Sequence, residues 1–181
     1  MYIISGRYKR RRLQFSGKIR PTQARVKESV FNVLGDITRK RVLDLCCGTG
    51  QNGLEALSRG ALEAMFVDID VRCVISNVNH LIDKGADIES CVQIKKKECR
   101  RFISDSVKLN LLYDLIFFDP PWMMPLMYEG TLNDLFGFDI LSDGGVIVCE
   151  HPKLMRVPQV CQNYQTYFYG NTGITFFKKS I

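Results

Sequence analysis

From residue 41 onward, short apolar runs alternate with longer segments whose apolar residues recur every three or four positions. The runs RVLDL (41–45), EAMFVDI (63–69), CVQIK (91–95), YDLIFFD (113–119) and GGVIVCE (144–150) predict strands. The segments between them predict helices over 50–59, 72–84, 98–106 and 128–136. Upstream, Val26, Val30, Phe31 and Leu34 share one face of a helix that Thr22 can cap and Gly35 can end. Residues 2–4 and 11–15 predict the two short strands of a hairpin. At the other end, strands near 164–169 and 173–178 flank YGNTG, too close for a crossover helix, so they pair antiparallel. Repeated strand–helix units imply an open α/β sandwich. Its sheet is mostly parallel and seven-stranded, with helices on both faces and an antiparallel C-terminal hairpin. The length of 181 residues with 46% hydrophobic content suits one core. We expect a single domain, 1–181, made of a hairpin extension (1–20) and a Rossmann-like core (21–181).

Charge adds a feature that hydropathy hides. Residues 1–41 carry twelve Lys and Arg against Glu28 and Asp36, while the rest of the chain is slightly acidic. A basic arm on a nearly neutral body suits a phosphate backbone. No apolar run approaches the ~20 residues of a membrane helix, and MYIISGRYKRRRLQF lacks the apolar stretch of a signal peptide, so a cytoplasmic protein without a membrane partner is expected. The seven cysteines show no metal-ligand or CxxC spacing and read as reduced thiols. His80 and His151 are far apart, and no metal is expected. His151 follows Glu150 at a strand end and could line a pocket.

Two stretches carry the chemistry. In DLCCGTG, Gly48 and Gly50 join a strand to a helix and let backbone approach a ligand. The next strand ends in Asp68, which can accept ribose hydroxyls, while Asp70 can cap the following helix. The turn lacks both GxGxxG and a Walker lysine, and it contains Asp44. A carboxylate there is unfavourable beside pyrophosphate and favourable beside a cationic amino-acid group. S-adenosylmethionine, with an ammonium, a sulfonium, a ribose and no phosphate, fits those charges better than a dinucleotide does. The second stretch is FFDPPW, where a strand runs into Asp119, Pro120, Pro121 and Trp122.

LDLCCGTG and DPPW resemble motifs I and IV of class I S-adenosylmethionine-dependent methyltransferases. With IRPTQARVKESVFNVL (19–34), GLEALSRGA (53–61) and YGNTGITFF (169–177), the resemblance narrows to the bacterial ribosomal small-subunit methyltransferase D family. The chain departs from that family at Trp122, where Phe or Tyr is more usual. It also departs at KKKECRR, where class I enzymes often have an Asp-Ala pair. The resemblance implies N2-methylation of a guanine in 16S ribosomal RNA, free or in the assembling small subunit, by a monomeric enzyme. Cofactor contacts are then expected from Asp44, Cys46, Gly48, Gly50, Asp68, Ile69, Glu98 and Cys99, and RNA contacts from Arg7, Arg10, Arg11, Arg12, Arg20 and Arg25. Arg20 and Arg25 serve equally well as a helix start. Glu98 serves adenine or a helix start, and the bases around it face RNA or water.

In this reading Asp119 accepts one N–H of the target amine and the Pro120 carbonyl the other. The prolines stiffen the loop, and Trp122 stacks on the extracted base. DNA adenine or a protein glutamine could use the same motif, and a non-catalytic nucleic-acid-binding protein could keep the fold.

Overall fold

The computed structural model describes residues 1–14, 21–121, 125–155 and 163–179, those at 21–23 and 125–126 without their side chains. Arg20 and Trp122 lie outside the described residues. Among the described residues, seven strands form one sheet: β1 (Arg41–Leu45), β2 (Glu63–Asp68), β3 (Val92–Lys96), β4 (Tyr113–Phe118), β5 (Leu141–Pro152), β6 (Tyr164–Tyr169) and β7 (Thr172–Lys178). The α-helices among the described residues, α1 (Pro21–Leu34), α2 (Gln51–Ser58), α3 (Arg72–Asp83), α4 (Cys99–Lys108) and α5 (Pro125–Gly137), connect or flank them. The strand order is β3-β2-β1-β4-β5-β7-β6. Strands β1 to β5 pair parallel, and β7 is antiparallel to both β5 and β6.

Side-chain alternation divides the core into two layers. Val42, Phe66, Phe117 and Val148 face α1, α2 and α3, packing on Phe31, Leu54 and Val74. Leu43, Leu45, Ile116, Phe118 and Ile147 face α4 and α5, packing on Phe102, Ile103, Tyr128 and Leu132. Because β1 and β4 have helices on both sides, both of their faces are apolar, with Asp44 in β1 the exception. The chain winds outward from β1 to β3, then returns to β4 on the other side of β1. That reversal opens a crevice at the C-terminal ends of β1 and β4.

Several expectations needed correction. Helix α1 already begins at Pro21, so Thr22 lies in its first turn and is not its cap. Proline is well suited to that first position because its missing N–H has no helical partner to lose. Gly35, at φ +68°, ends the helix as expected. Helix α5 starts three residues earlier than its apolar pattern, also at a proline. Strand β5 is longer than GGVIVCE because Leu141 pairs with Tyr113 before a register shift, after which Leu115 meets Val146. Among the described residues the N-terminal hairpin has one antiparallel bridge, Tyr2 to Arg12, and not two full strands.

The arm is nevertheless firmly attached. Ile3, Tyr8 and Leu13 are buried, and Glu55 on α2 accepts the backbone N–H groups of Ile4 (2.7 Å) and Ser5 (3.0 Å). Glu55 also pairs with Lys27 (3.3 Å) and Arg59 (2.9 Å). A fully buried carboxylate with four donors anchors the arm, and leaving either charge alone would cost several kcal/mol. Asn77, also buried, bridges the Gln14 carbonyl (3.1 Å) and the Thr49 carbonyl (2.9 Å). The basic arm and the glycine turn are therefore held by one side chain.

Candidate active site

The glycine turn begins where β1 ends. Cys46 has φ +57°, an uncommon conformation for a residue with a side chain, and Gly48 and Gly50 follow at φ +51° and +75°. A Cβ on Gly50 would lie 2.5 Å from a Val74 methyl, so only glycine fits that close helix–strand contact. At Gly48 nothing lies within 4 Å of that position, so its backbone is open to a ligand. Asp44 is buried beneath the turn, where one carboxylate oxygen accepts the Gly53 N–H at 2.9 Å. Burial, countered in part by that hydrogen bond and reinforced by Asp68, pushes its carboxyl up to about 7. Asp68 accepts the Gly48 N–H at 2.9 Å and the Asp70 N–H at 3.0 Å, which ties the turn to the end of β2. Asp70 accepts the Arg72 N–H at 3.2 Å and so serves the start of α3.

Strand register aligns four acids. Phe66 is paired with Asp44, and Phe117 with Asp44 on the other side. Phe118 is paired with Cys149. One step on, Asp119 stands opposite Glu150 across neighbouring strands about 4.8 Å apart. Alternation puts Asp68, Asp119 and Glu150 on the face carrying α1 to α3, with Asp44 one repeat below. Asp119 and Glu150 share a cavity of about 320 Å³ with Lys27, Asn52, Tyr169 and Asn171. The Asp119 carboxyl is held well above its usual range, first by burial and then by the charges of Glu150 and Asp44. Burial raises Glu150 as well. Neither carboxylate receives a hydrogen bond from a described residue, whereas Lys27, in the same cavity, is engaged by Glu55.

After Asp119, the buried Pro120 directs its carbonyl to the Tyr128 hydroxyl at 3.0 Å, and Pro121 is exposed. The Tyr128 ring packs edge-on against Phe118, with centroids 5.8 Å apart. Tyr128 thus sets the direction of the carbonyl expected to take part in the clamp, and the second lone pair of that oxygen remains available.

The other expected residues separate into groups. Ile69 is exposed at the end of β2, as an apolar shelf would be. The Cys46 and Cys99 sulfurs are 2.9 Å apart, joining the glycine turn to the start of α4. Of its two readings, Glu98 shows the helix start: its oxygens accept the N–H groups of Arg100 (3.0 Å) and Arg101 (2.9 Å). Among the bases around it, Lys97 pairs with Asp105 and Arg100 with Asp134. Arg7, Arg10, Arg12 and Arg25 are exposed. Arg11 is half-buried, stacked on the Tyr8 ring and donating to the Leu81 carbonyl at 3.1 Å. His151 does not line the cavity. It is buried in the sheet, with Nδ1 donating to the Pro152 carbonyl (2.9 Å) and Nε2 against the Thr175 hydroxyl (2.8 Å). Its neighbour Glu150 takes the place expected of it. Sequence reasoning missed Glu150 and Tyr128, and it assigned YGNTG no place in the site, whereas Tyr169 to Thr172 form a wall of the cavity. Among the described residues, no cluster of His, Cys, Asp and Glu could hold a metal, and no helix is long and apolar enough to cross a membrane.

A β3-β2-β1-β4-β5-β7-β6 sheet with one reversed strand, a glycine turn after β1 and Asp-Pro-Pro after β4 defines the class I methyltransferases. The family model described as conserved hypothetical protein 95 matches residues 1–178, and the chain belongs to that family, the ribosomal small-subunit methyltransferase D family. The chain is 31% identical over 185 residues to the putative rRNA methyltransferase YlbH of Bacillus subtilis (strain 168), covering 99% of each. It is 30% identical over 172 residues to the ribosomal RNA small subunit methyltransferase D of Escherichia coli (strain K12), covering 91% of this chain and 81% of the relative. Among solved structures, the putative methyltransferase yhhF from Escherichia coli superposes with a TM-score of 0.79 at 28% identity, covering 99% of this chain and 98% of that one. The family is one of S-adenosylmethionine-dependent methyltransferases.

Proposed function

We propose that this protein transfers a methyl group from S-adenosylmethionine to the exocyclic N2 amine of a guanine in 16S ribosomal RNA. The observation that carries this reading is Asp119: a carboxyl at the end of β4, in a cavity, with no donor from a described residue. Asp119 is half-buried and lines the cavity, so a donor that arrives with the substrate can pair with it.

The cofactor suits the adjoining half of the crevice. Gly48 leaves backbone open, Asp68 offers its remaining lone pairs to ribose hydroxyls, Ile69 offers an apolar surface to adenine, and Asp44 places negative charge beneath cationic groups. Gly50, Cys46, Cys99 and Glu98 shape the turn and the helix start around it. When bound, S-adenosylmethionine supplies an electrophilic methyl on a sulfonium.

The protein's own work is to prepare the nucleophile. The guanine amine is a weak nucleophile because its lone pair is delocalised into the ring. Asp119 accepts one N–H and the Pro120 carbonyl, aimed by Tyr128, accepts the other. Two acceptors on one NH2 group favour a pyramidal nitrogen and offset the positive charge that grows as the methyl arrives. Pro120 and Pro121 bring no competing backbone N–H. Trp122 would present a ring face to the extracted base.

The test is nucleoside analysis of 16S ribosomal RNA, free and in small subunits, after incubation with the enzyme and labelled S-adenosylmethionine. Label in N2-methylguanosine is expected. Label in N6-methyladenosine, or in protein alone, would refute the assignment.

A further inference from the structure

Glu150 has no role in the clamp just described, yet it is placed like a member of it. It stands opposite Asp119 one register step beyond Phe118 and Cys149, on the same face of the sheet and in the same cavity. Its strand position is fixed from the other side as well, because Glu150 pairs with Ile174 on β7. No described residue donates to its carboxylate. The nearby cation of Lys27 is already engaged by Glu55 and by the Tyr2 carbonyl. Two carboxyls side by side without donors oppose each other's ionisation. A ligand with two adjacent donor sites would satisfy both.

We propose that Glu150 is a specificity-determining residue that accepts the N1–H of the target guanine while Asp119 accepts its N2–H. The inference rests on the guanine-N2 reading and deepens it. Guanine has donors at N1 and N2 on one edge. Adenine and cytosine have an amine beside a ring nitrogen that is itself an acceptor, and a glutamine amide has an amine beside a carbonyl. In each of those cases an ionised Glu150 would face a lone pair, two acceptors would meet, and the base or amide would be disfavoured. One carboxylate therefore prepares the amine, and its neighbour checks which ring carries it. Sites built to hydrogen-bond a particular group discriminate strongly against analogues that lack it, because their buried polar atoms are left unpaired.

The experiment uses an RNA hairpin bearing the position mapped from the wild-type product, synthesised with either guanine or 2,6-diaminopurine there. Diaminopurine keeps the N2 amine and replaces the N1 donor with an acceptor. Wild-type enzyme should favour guanine by at least about tenfold in kcat/KM, the scale of one charge-assisted hydrogen bond. Glu150→Gln keeps an oxygen for the N1–H but loses its charge, so kcat/KM for guanine should fall by about tenfold while that for diaminopurine should not fall, because the amide can instead donate to the ring nitrogen. Glu150→Asp keeps the acceptor and should keep the preference even if turnover falls. Cofactor affinity and melting temperature, measured on both variants, identify a folding defect. A preference for guanine that survives in Glu150→Gln overturns the role of Glu150 while leaving the proposed function intact. No N2-methylguanosine from the wild type overturns both.

Discussion

Asp44 should act on stability and on cofactor binding in opposite directions. Its carboxyl is pushed from the ordinary 3.8 up to about 7 by burial beneath the glycine turn. Below pH 4 the group is neutral in folded and unfolded chains, so folding is indifferent to it. Between pH 4 and 7 the unfolded chain ionises it and the folded chain does not, so stability falls by about 1.4 kcal/mol per pH unit. Above pH 7 the accumulated loss is constant, on the order of 4 kcal/mol. Asp44→Asn keeps an oxygen for the Gly53 N–H and removes the titration. The melting temperature of the Asn variant relative to wild type should therefore rise between pH 5 and pH 8. About 3 kcal/mol of the penalty falls in that window, which for a chain of this size is roughly 6–12 °C. Comparing the two pH values cancels the fixed cost of burying an amide. The cofactor should show the reverse. If a cationic group needs the ionised carboxylate, the ionised fraction grows about tenfold between pH 6 and pH 8, and affinity for S-adenosylmethionine should tighten by about that factor in wild type only. Calorimetry and thermal unfolding at these pH values provide the measurements. Equal melting differences at pH 5 and pH 8 would show that Asp44 is not held neutral. A pH-independent affinity in wild type would remove its carboxylate from the cofactor.

Asp119→Ala removes the acceptor and should abolish turnover, leave cofactor affinity within about threefold, and gain melting temperature relative to wild type between pH 5 and pH 8, because a carboxyl raised by burial and by Glu150 is removed. Unchanged nucleoside methylation by this variant would refute the clamp. Tyr128→Phe frees the Pro120 carbonyl and should lower kcat by about fivefold to tenfold, the worth of about 1 kcal/mol, with the KM for RNA unchanged in steady-state assays. Replacing Arg10 and Arg12 with alanine should reduce the salt slope of RNA binding by about 2, as two lost phosphate contacts would. Arg11→Ala should instead lower the melting temperature, because that guanidinium is built into the arm.

The sheet was legible because β1 and β4 are buried on both faces, and burial on both faces writes a near-continuous apolar run. Its limits were less so. The start of β5 is carried by Leu141, Ser142 and two glycines, and their strand character comes from pairing with β4, not from their own pattern. Helices α1 and α5 open at prolines ahead of their apolar periodicity. In the site, Asp44, Asp68 and Asp119 stood out because each belongs to a local motif whose spacing carries its meaning. Glu150, Tyr128 and the Tyr169 to Thr172 wall act across space, so no spacing announces them. Glu150 could have been reached by one further step. Two strands that leave the core together, as Phe117 and Val148 do, turn the residues two places on toward the same side, and that rule selects Glu150 over His151. The arm was legible as charge. Its attachment was not, because Glu55 reads as an ordinary helix-surface acid until Ile4, Ser5, Lys27 and Arg59 close around it.

The opposed charges of arm and crevice carry a consequence for how RNA is engaged. Arg7, Arg10 and Arg12 are exposed on an arm fixed to α2, and Asn77 fixes the same arm to the glycine turn. The crevice beside them is lined at one level by Asp68, Asp119 and Glu150, with Asp44 beneath. A phosphate is drawn to the first surface and repelled by the second, so the backbone must stay outside while something neutral and rich in donors goes in. A base turned out of its stack meets that requirement, and a paired base does not, because its N1–H and N2–H are already bound to a partner. Asp44, Asp119 and Glu150, whose burial weakens the empty fold, thus select what enters it. A cation on the β1–β2 side favours the ionised form of Asp119, the form that accepts a donor edge on the β4–β5 side, so binding of cofactor and of base should each favour the other.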